Sequence, residues 1–82
     1  MNYQKIYDQL IQNRKNNRLS KKDCYCEEHH IIPLSEGGPD TKDNKINLSA
    51  REHYIAHLLL AKIYDDYKMW YAWNMMLCQN SR

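Results

Sequence analysis

The sequence predicts a small α+β domain: an antiparallel hairpin followed by a helix, with one further helix before this unit and one after it. Three observations predict it. Tyr3, Ile6, Tyr7, Leu10 and Ile11 recur at helical spacing near the start. Two short β-prone segments, 25–33 and 45–48, bracket a turn built on Gly37-Gly38-Pro39-Asp40. Ser49-Ala50-Arg51-Glu52 has the S-x-x-E pattern of a capping box, which starts a helix directly after the second segment.

The first helix is expected over about 2–15, where Tyr3, Ile6, Tyr7, Leu10 and Ile11 form one apolar face. Asn13, Asn16 and Asn17 are weak helix formers and should fray its end. A polar, basic linker follows to Asp23. Tyr25 to Pro33 reads as a strand, with β-branched Ile31 and Ile32 and a proline that stops it. The loop 34–43 turns the chain, and a second short strand, 45–48, puts Ile46 and Leu48 on one face. The capped helix then runs from Ala50 through Leu58, Leu59 and Ile63 to Asp65-Asp66. A last helix, about 67–78, carries Trp70, Trp73, Met76 and Leu77 on an apolar side, expected to pack against the first helix. That aromatic stripe could instead stack bases, but a domain this short of bulk needs it as core.

The chain of 82 residues makes one domain. A domain of that size buries only about 60–65% of the surface its unfolded chain exposes, so a metal, a disulfide or a partner commonly supplements the core. The longest apolar run is Leu58-Leu59-Leu60-Ala61, far short of the roughly 20 residues that span a bilayer. The polar start lacks a secretory apolar segment. Cys24, Cys26 and Cys78 make an odd count, which fits free thiols in a reducing, cytoplasmic setting. Cys24 and Cys26 are also too close for a C-x-x-C zinc knuckle.

Charge is lopsided. Residues 1–22 carry Lys5, Arg14, Lys15, Arg18, Lys21 and Lys22 against Asp8 alone, a net of +5, whereas residues 23–82 carry −3. A basic segment beside an acidic one suits a polyanionic partner. A solvated helix face explains the same charges equally well.

All four histidines lie in one window, at 29, 30, 53 and 57. His53 and His57 are four apart in the expected helix, so both imidazoles share one face and can converge on one ion. The hairpin brings His29 or His30 over that helix. Adjacent strand residues point to opposite faces, so one can face a metal while the other faces a substrate. A ligand imidazole gives its lone pair to the cation; a general base must keep its lone pair free with a pKa near neutral.

Tyr25-x-Glu27-x-His29-His30-Ile31-x-Pro33, the Gly37-Gly38 loop and Asn44-x-Ile46-x-Leu48-Ser49-x-Arg51-Glu52-His53-Tyr54-x-x-His57-x-Leu59 together resemble the HNH endonucleases. The similarity is greatest to phage-encoded, homing-type members with a basic helical segment before the motif. The fold this implies is a ββα-metal finger over about 25–60, within a single nuclease domain whose basic helical arm is 1–22. The resemblance implies roles residue by residue. His30 would be the general base that activates water. His29, His53 and His57 would bind one divalent metal ion, a three-histidine set similar to that of colicin-type nucleases. Zn, Mg, Mn and Ni all suit the family, and three imidazoles favour zinc or a transition metal over Mg. Asn44 would close the loop and hold His30 by a hydrogen bond, with Asn47 read as an exposed strand residue. Arg51 would neutralise the scissile phosphate or pair with Glu27 or Glu28. Glu27 would orient a ligand imidazole, and Glu28 would be a solvated carboxylate.

The resemblance further implies hydrolysis of double-stranded DNA to 5′-phosphate and 3′-hydroxyl ends, by nicking, in a bacterial or phage-infected cell. Arg14, Lys15, Arg18, Lys21, Lys22, Lys42 and Lys45 would contact phosphates, which positions a protein without reading sequence. Homing-type members usually carry a further recognition module. The sequence ends at Arg82, soon after the last helix, so the resemblance leaves three forms open: a truncated homing enzyme, a catalytic module that borrows a DNA-recognition partner, or a small nuclease of low specificity; a homodimer would allow double-strand cuts. Two other classes stay open: a non-catalytic nucleic-acid-binding module with structural zinc, and an interaction or inhibitor protein that reuses the fold.

Overall fold

The computed structural model describes the backbone of residues 1–80 and the side chains of residues 1–76. Helix α1 spans Tyr3–Asn16, and its N-terminus is capped by the Asn2 side chain, which accepts from the Lys5 amide at 3.0 Å. Tyr7 and Ile11 are buried, Leu10 packs at the edge of the core and Ile6 stays exposed. The basic segment 1–22 is therefore not a free arm. Its helical part is built into the core, and only the stretch after Asn16 runs over the surface.

Strand β1 is Glu27–His30 and strand β2 is Lys45–Leu48. β1 is shorter than the expected 25–33: Tyr25 stands exposed before it, and Pro33 caps a short 3₁₀ turn, Leu34–Glu36, after it. The strands pair antiparallel, with Glu27 opposite Leu48, Glu28 opposite Asn47, His29 opposite Ile46 and His30 opposite Lys45. One face of the hairpin thus carries Glu27, His29, Ile46 and Leu48. The other carries Glu28, His30, Lys45 and Asn47.

The loop between the strands is tied down by Asn44. Its side chain accepts from the Ile32 amide at 2.8 Å and donates to the carbonyls of Ile32 and Pro39, both at 2.9 Å. Gly37 sits at φ 89°, a left-handed conformation that glycine adopts without a Cβ clash. Gly38 is needed for a different reason: a Cβ there would lie 1.9 Å from the Ile32 carbonyl oxygen.

Helix α2 spans Ala50–Tyr64 and begins with the complete capping box, the Glu52 amide donating to Ser49 Oγ and the Ser49 amide to the Glu52 carboxylate. It ends where Asp65 takes a left-handed conformation at φ 50°, and Asp66 then accepts from the Met69 amide to start α3, Tyr67–Asn80. α3 packs along α2, rather than against α1 as its apolar stripe suggested. The reason is the tight Asp65-Asp66 turn, which folds α3 back on its neighbour in sequence. Met69 is fully buried and Trp70 and Trp73 half-buried, while Leu77 lies outside the described side chains. The two indoles meet edge to face at 6.1 Å, and Trp73 also meets Tyr54 at 5.8 Å, so the stripe is packing rather than an open stacking surface.

The core consists of Tyr7 and Ile11 from α1, Ile46 and Leu48 from β2, Ala56, Leu59, Leu60 and Ala61 from α2, and Met69. Burial of a side chain such as Leu48 or Leu60 stabilises by about 1.5–3 kcal/mol. Among the described residues no helix is long and apolar enough to cross a membrane. Cys24 is exposed and Cys26 buried, and both are free thiols.

Candidate metal centre and nuclease cleft

β1 delivers His29 and α2 delivers His53 and His57 to one point. Their donor atoms all lie within 4.8 Å of one another, and the ring centroids are 4.8 to 5.2 Å apart, each pair edge to face. The strand places His29 on the helix-facing side, 1% exposed, and the i, i+4 spacing stacks His53 and His57 one turn apart on the facing side of α2.

The donor atoms that have no other task point to an ion. Nδ1 of His29 and Nδ1 of His57 are both buried without a hydrogen bond. A buried imidazole nitrogen with no partner carries a desolvation cost, which a cation would relieve. His53 is oriented from behind. Its Nδ1 lies 2.8 Å from Glu27 Oε1, and the hydrogen bonds from Tyr25 and His53 hold the Glu27 carboxyl below its ordinary value. The carboxylate therefore accepts, His53 Nδ1 carries the proton, and Nε2 keeps its lone pair. Three neutral imidazoles on a strand and a helix fit a divalent ion of the zinc or transition-metal kind.

Burial holds His29 down to about pKa 3, helped by the charges of His57, His53 and His30. Burial and His53 hold His57 down to about 4. Both are depressed below the ordinary 6.5, so between 6.5 and these values the unfolded chain binds more protons than the folded one. Stability is then present above pH 6.5 and is lost as pH falls through that window. Metal-free protein is expected to lose at most roughly 1.4 kcal/mol per pH unit for each of the two histidines. Urea melts at neutral pH and about one and a half units below 6.5 check it; equal midpoints would contradict the depressed values.

His30 takes the other face of β1. Its Nε2 lies 3.0 Å from Asp40 Oδ1, and Asp40 also pairs with Lys45 at 3.0 Å. These two partners keep Asp40 below its ordinary value, so the carboxylate accepts from His30 Nε2 and leaves Nδ1 with the free lone pair. A cleft of about 200 Å³ is lined by His30 together with His53, His57, Glu28, the Pro33–Ser35 turn and Met69 and Ala72 of α3. The base candidate and two of the metal candidates thus share one opening.

The expected hydrogen bond from Asn44 to His30 does not form. All three Asn44 side-chain bonds go to loop backbone, because the 3₁₀ turn Lys42–Asn44 aims the amide across the loop toward Ile32. Arg51 is exposed, pairs with neither Glu27 nor Glu28, and is not among the residues lining the cleft. At 3.6 residues per turn it lies about 160° around α2 from His53. Glu28 faces Lys45 at 3.9 Å.

The basic residues divide. Arg14 is committed inward: its Nε lies 2.8 and 3.1 Å from the two Glu52 carboxylate oxygens, clamping α1 to the start of α2. Lys15, Arg18, Lys21, Lys22 and Lys42 are exposed. Arg18, Lys42 and Lys45 line one groove of about 360 Å³ on the outer hairpin face, with Glu28 and Asn47. Asn47 is half-buried rather than exposed, and it donates to the Leu19 carbonyl at 3.2 Å, fastening the basic linker to β2. Arg14→Ala is accordingly expected to lower stability by about 1.5–3 kcal/mol, the range for hydrogen bonds to charged groups, with DNA affinity little changed. Arg18→Ala should do the reverse. Melting temperatures and filter binding at two salt concentrations separate them.

Two groups of this site carry no signal in the sequence. Tyr7 reads as one more apolar position of α1, yet its hydroxyl lies 2.8 Å from His29 Nε2. Asp40 reads as part of a turn.

A hairpin and helix that close on three imidazoles, with a fourth at the rim, define a ββα-metal finger of the nuclease kind. The HNH endonuclease family model matches residues 13–57, more than half of the chain, covering both strands and α2 as far as His57. The chain belongs to the HNH endonuclease family. It is 53% identical over 76 residues to probable mobile endonuclease D of Enterobacteria phage T4, covering 89% of this chain and 29% of that one. Probable mobile endonuclease E of the same phage is 49% identical over 77 residues, 93% of this chain and 52% of that one. Probable mobile endonuclease B is 48% identical over 84 residues, 99% of this chain and 31% of its own. The chain thus spans about a third to a half of the length of these relatives. No solved structure matches it.

Proposed function

We propose that this chain is the nuclease domain, 1–82, of a metal-dependent endonuclease that hydrolyses DNA phosphodiester bonds in the cytoplasm of a phage-infected cell. One observation carries the reading: three imidazoles share a point inside the hairpin–helix unit, and a fourth, tied to a carboxylate, lines the same cleft. His29, His53 and His57 hold the divalent ion. When bound, the ion supplies positive charge against the charge that builds on the phosphoryl and departing 3′ oxygens. His30, its Nε2 proton held by Asp40, takes the proton of an in-line water at Nδ1. Arg18, Lys42 and Lys45 hold backbone phosphates along the outer groove, and the exposed Lys15, Lys21 and Lys22 add positive charge on the same basic segment as Arg18. Arg51, on the far side of α2, fits a neighbouring phosphate better than the scissile one. One finger carries one site, so a single visit nicks one strand and leaves 5′-phosphate and 3′-hydroxyl ends. A second copy of the chain, or a separate DNA-recognition partner, would supply a second cut or sequence choice.

The test is conversion of supercoiled plasmid to open circles with Zn, Mg, Mn or Ni and with EDTA. Cleavage is expected with at least one metal and should vanish on chelation. Intact plasmid under every metal, with folded protein, would favour a binding module with a structural zinc.

A further inference from the structure

We infer that Tyr7 is a positioning residue of the metal centre: its hydroxyl dictates which nitrogen of His29 faces His53 and His57. The inference rests on the metal-dependent reading above. The Tyr7 hydroxyl has one proton, and it lies 2.6 Å from the Ile31 carbonyl oxygen, a group that can only accept. That proton is therefore spent on Ile31. Toward His29 Nε2, 2.8 Å away, the same oxygen must accept. Nε2 then carries the single proton of the neutral ring, and Nδ1 is left as a bare lone pair. Nδ1 is the atom found buried with no hydrogen-bond partner, as a metal donor waiting for its ion would be.

The arrangement has a counterpart with the opposite nitrogen. Glu27 accepts a hydrogen bond from His53 Nδ1 and leaves Nε2 as the free nitrogen. Two ligands are thus oriented by two different groups on two different elements: a carboxylate within the hairpin, and a phenol on α1. Tyr7 is 3% exposed, and its ring meets the His29 ring edge to face at 6.1 Å, so the hydroxyl has no freedom to turn elsewhere. Helix α1 lies outside the ββα unit, yet through Tyr7 it completes the centre. A core phenol is amphipathic, and its polar end needs a partner when buried; here the partner is a ligand.

The experiment compares wild type with Tyr7→Phe, which keeps the ring and removes the hydroxyl. Long-range ¹H–¹⁵N spectra of the metal-free proteins report the His29 tautomer, and calorimetric zinc titration reports affinity. The wild type should show His29 protonated at Nε2. The variant should lose that preference and bind zinc about 10–100-fold more weakly, the range seen when an outer partner of a ligand histidine is removed. Wild-type His29 protonated at Nδ1 would overturn the inference. So would a folded variant with the wild-type tautomer and wild-type zinc affinity. Should the variant not fold, the wild-type spectrum alone decides. Wild type that binds no zinc, nor cobalt in the same titration, would instead bring down the metal-dependent reading, and the tautomer would still report on Tyr7.

Discussion

Replacing His30 with alanine is expected to reduce DNA cleavage by about 10²–10⁴-fold, the usual contribution of a positioned general base, with zinc affinity and melting temperature close to wild type. The geometry gives the separation. His30 sits on the outer face of β1, its side chain 27% exposed, so its removal opens no hole in the core. Its hydrogen bond is to Asp40, a surface carboxylate that keeps Lys45 as a partner. The three converging donors stay untouched on the other side of the strand and on α2. His53→Ala should behave differently: it removes a donor, and both metal affinity and cleavage should fall. Plasmid nicking and zinc titration of the two variants side by side make the check. A His30→Ala protein that cuts like wild type, or that fails to take up metal, would remove His30 from the role of base.

The second large effect is on stability. Asn44→Ala should destabilise the domain by about 3–5 kcal/mol, because it strands one amide and two carbonyls at once. Asn44 is 6% exposed, and its bonds to Ile32 and Pro39 are what hold the chain between the strands. A domain of this size has about 5–15 kcal/mol in all, so the variant should melt far earlier. Gly38→Ala should damage the same place, since its Cβ would collide with the Ile32 carbonyl and crowd the Asn44 amide at 3.0 Å. Urea melts of both variants test this; a midpoint for Asn44→Ala within experimental error of wild type would show that water replaces all three bonds. Cleavage should fall with the fold, because Ile32 lies two residues beyond His30.

Much of this was legible in the chain because it is local. The capping box at Ser49 and Glu52 is a four-residue event, so α2 begins where those residues require it. The i, i+4 spacing puts His53 and His57 on one helix face whatever the rest of the protein does. Alternation in a strand separates His29 from His30 before any contact is known. The placement of Ile46 and Leu48 toward the core follows from the same period. What was not legible depends on partners far apart in sequence. Asn44 could not be told from a side chain that holds His30, because its true partners are backbone groups brought near by the loop's own 3₁₀ turn. Arg14 is one more basic residue until α1 is laid against the start of α2, where the Glu52 carboxylate takes it. His30 likewise meets Asp40 only where the loop brings that carboxylate back beside β1.

By itself the sequence determined a hairpin–helix unit with two pairs of histidines and, through the motif they belong to, the family. Those features follow from backbone propensity, side-chain period and caps, each acting within a few residues. Only the tertiary structure decided that Asp40 holds His30, that α3 folds onto α2, and that a tyrosine from α1 faces the ligand from β1. The physical reason is that hydrogen bonds and metal donors act over about 3 Å, and only packing brings residues ten or more positions apart within that reach.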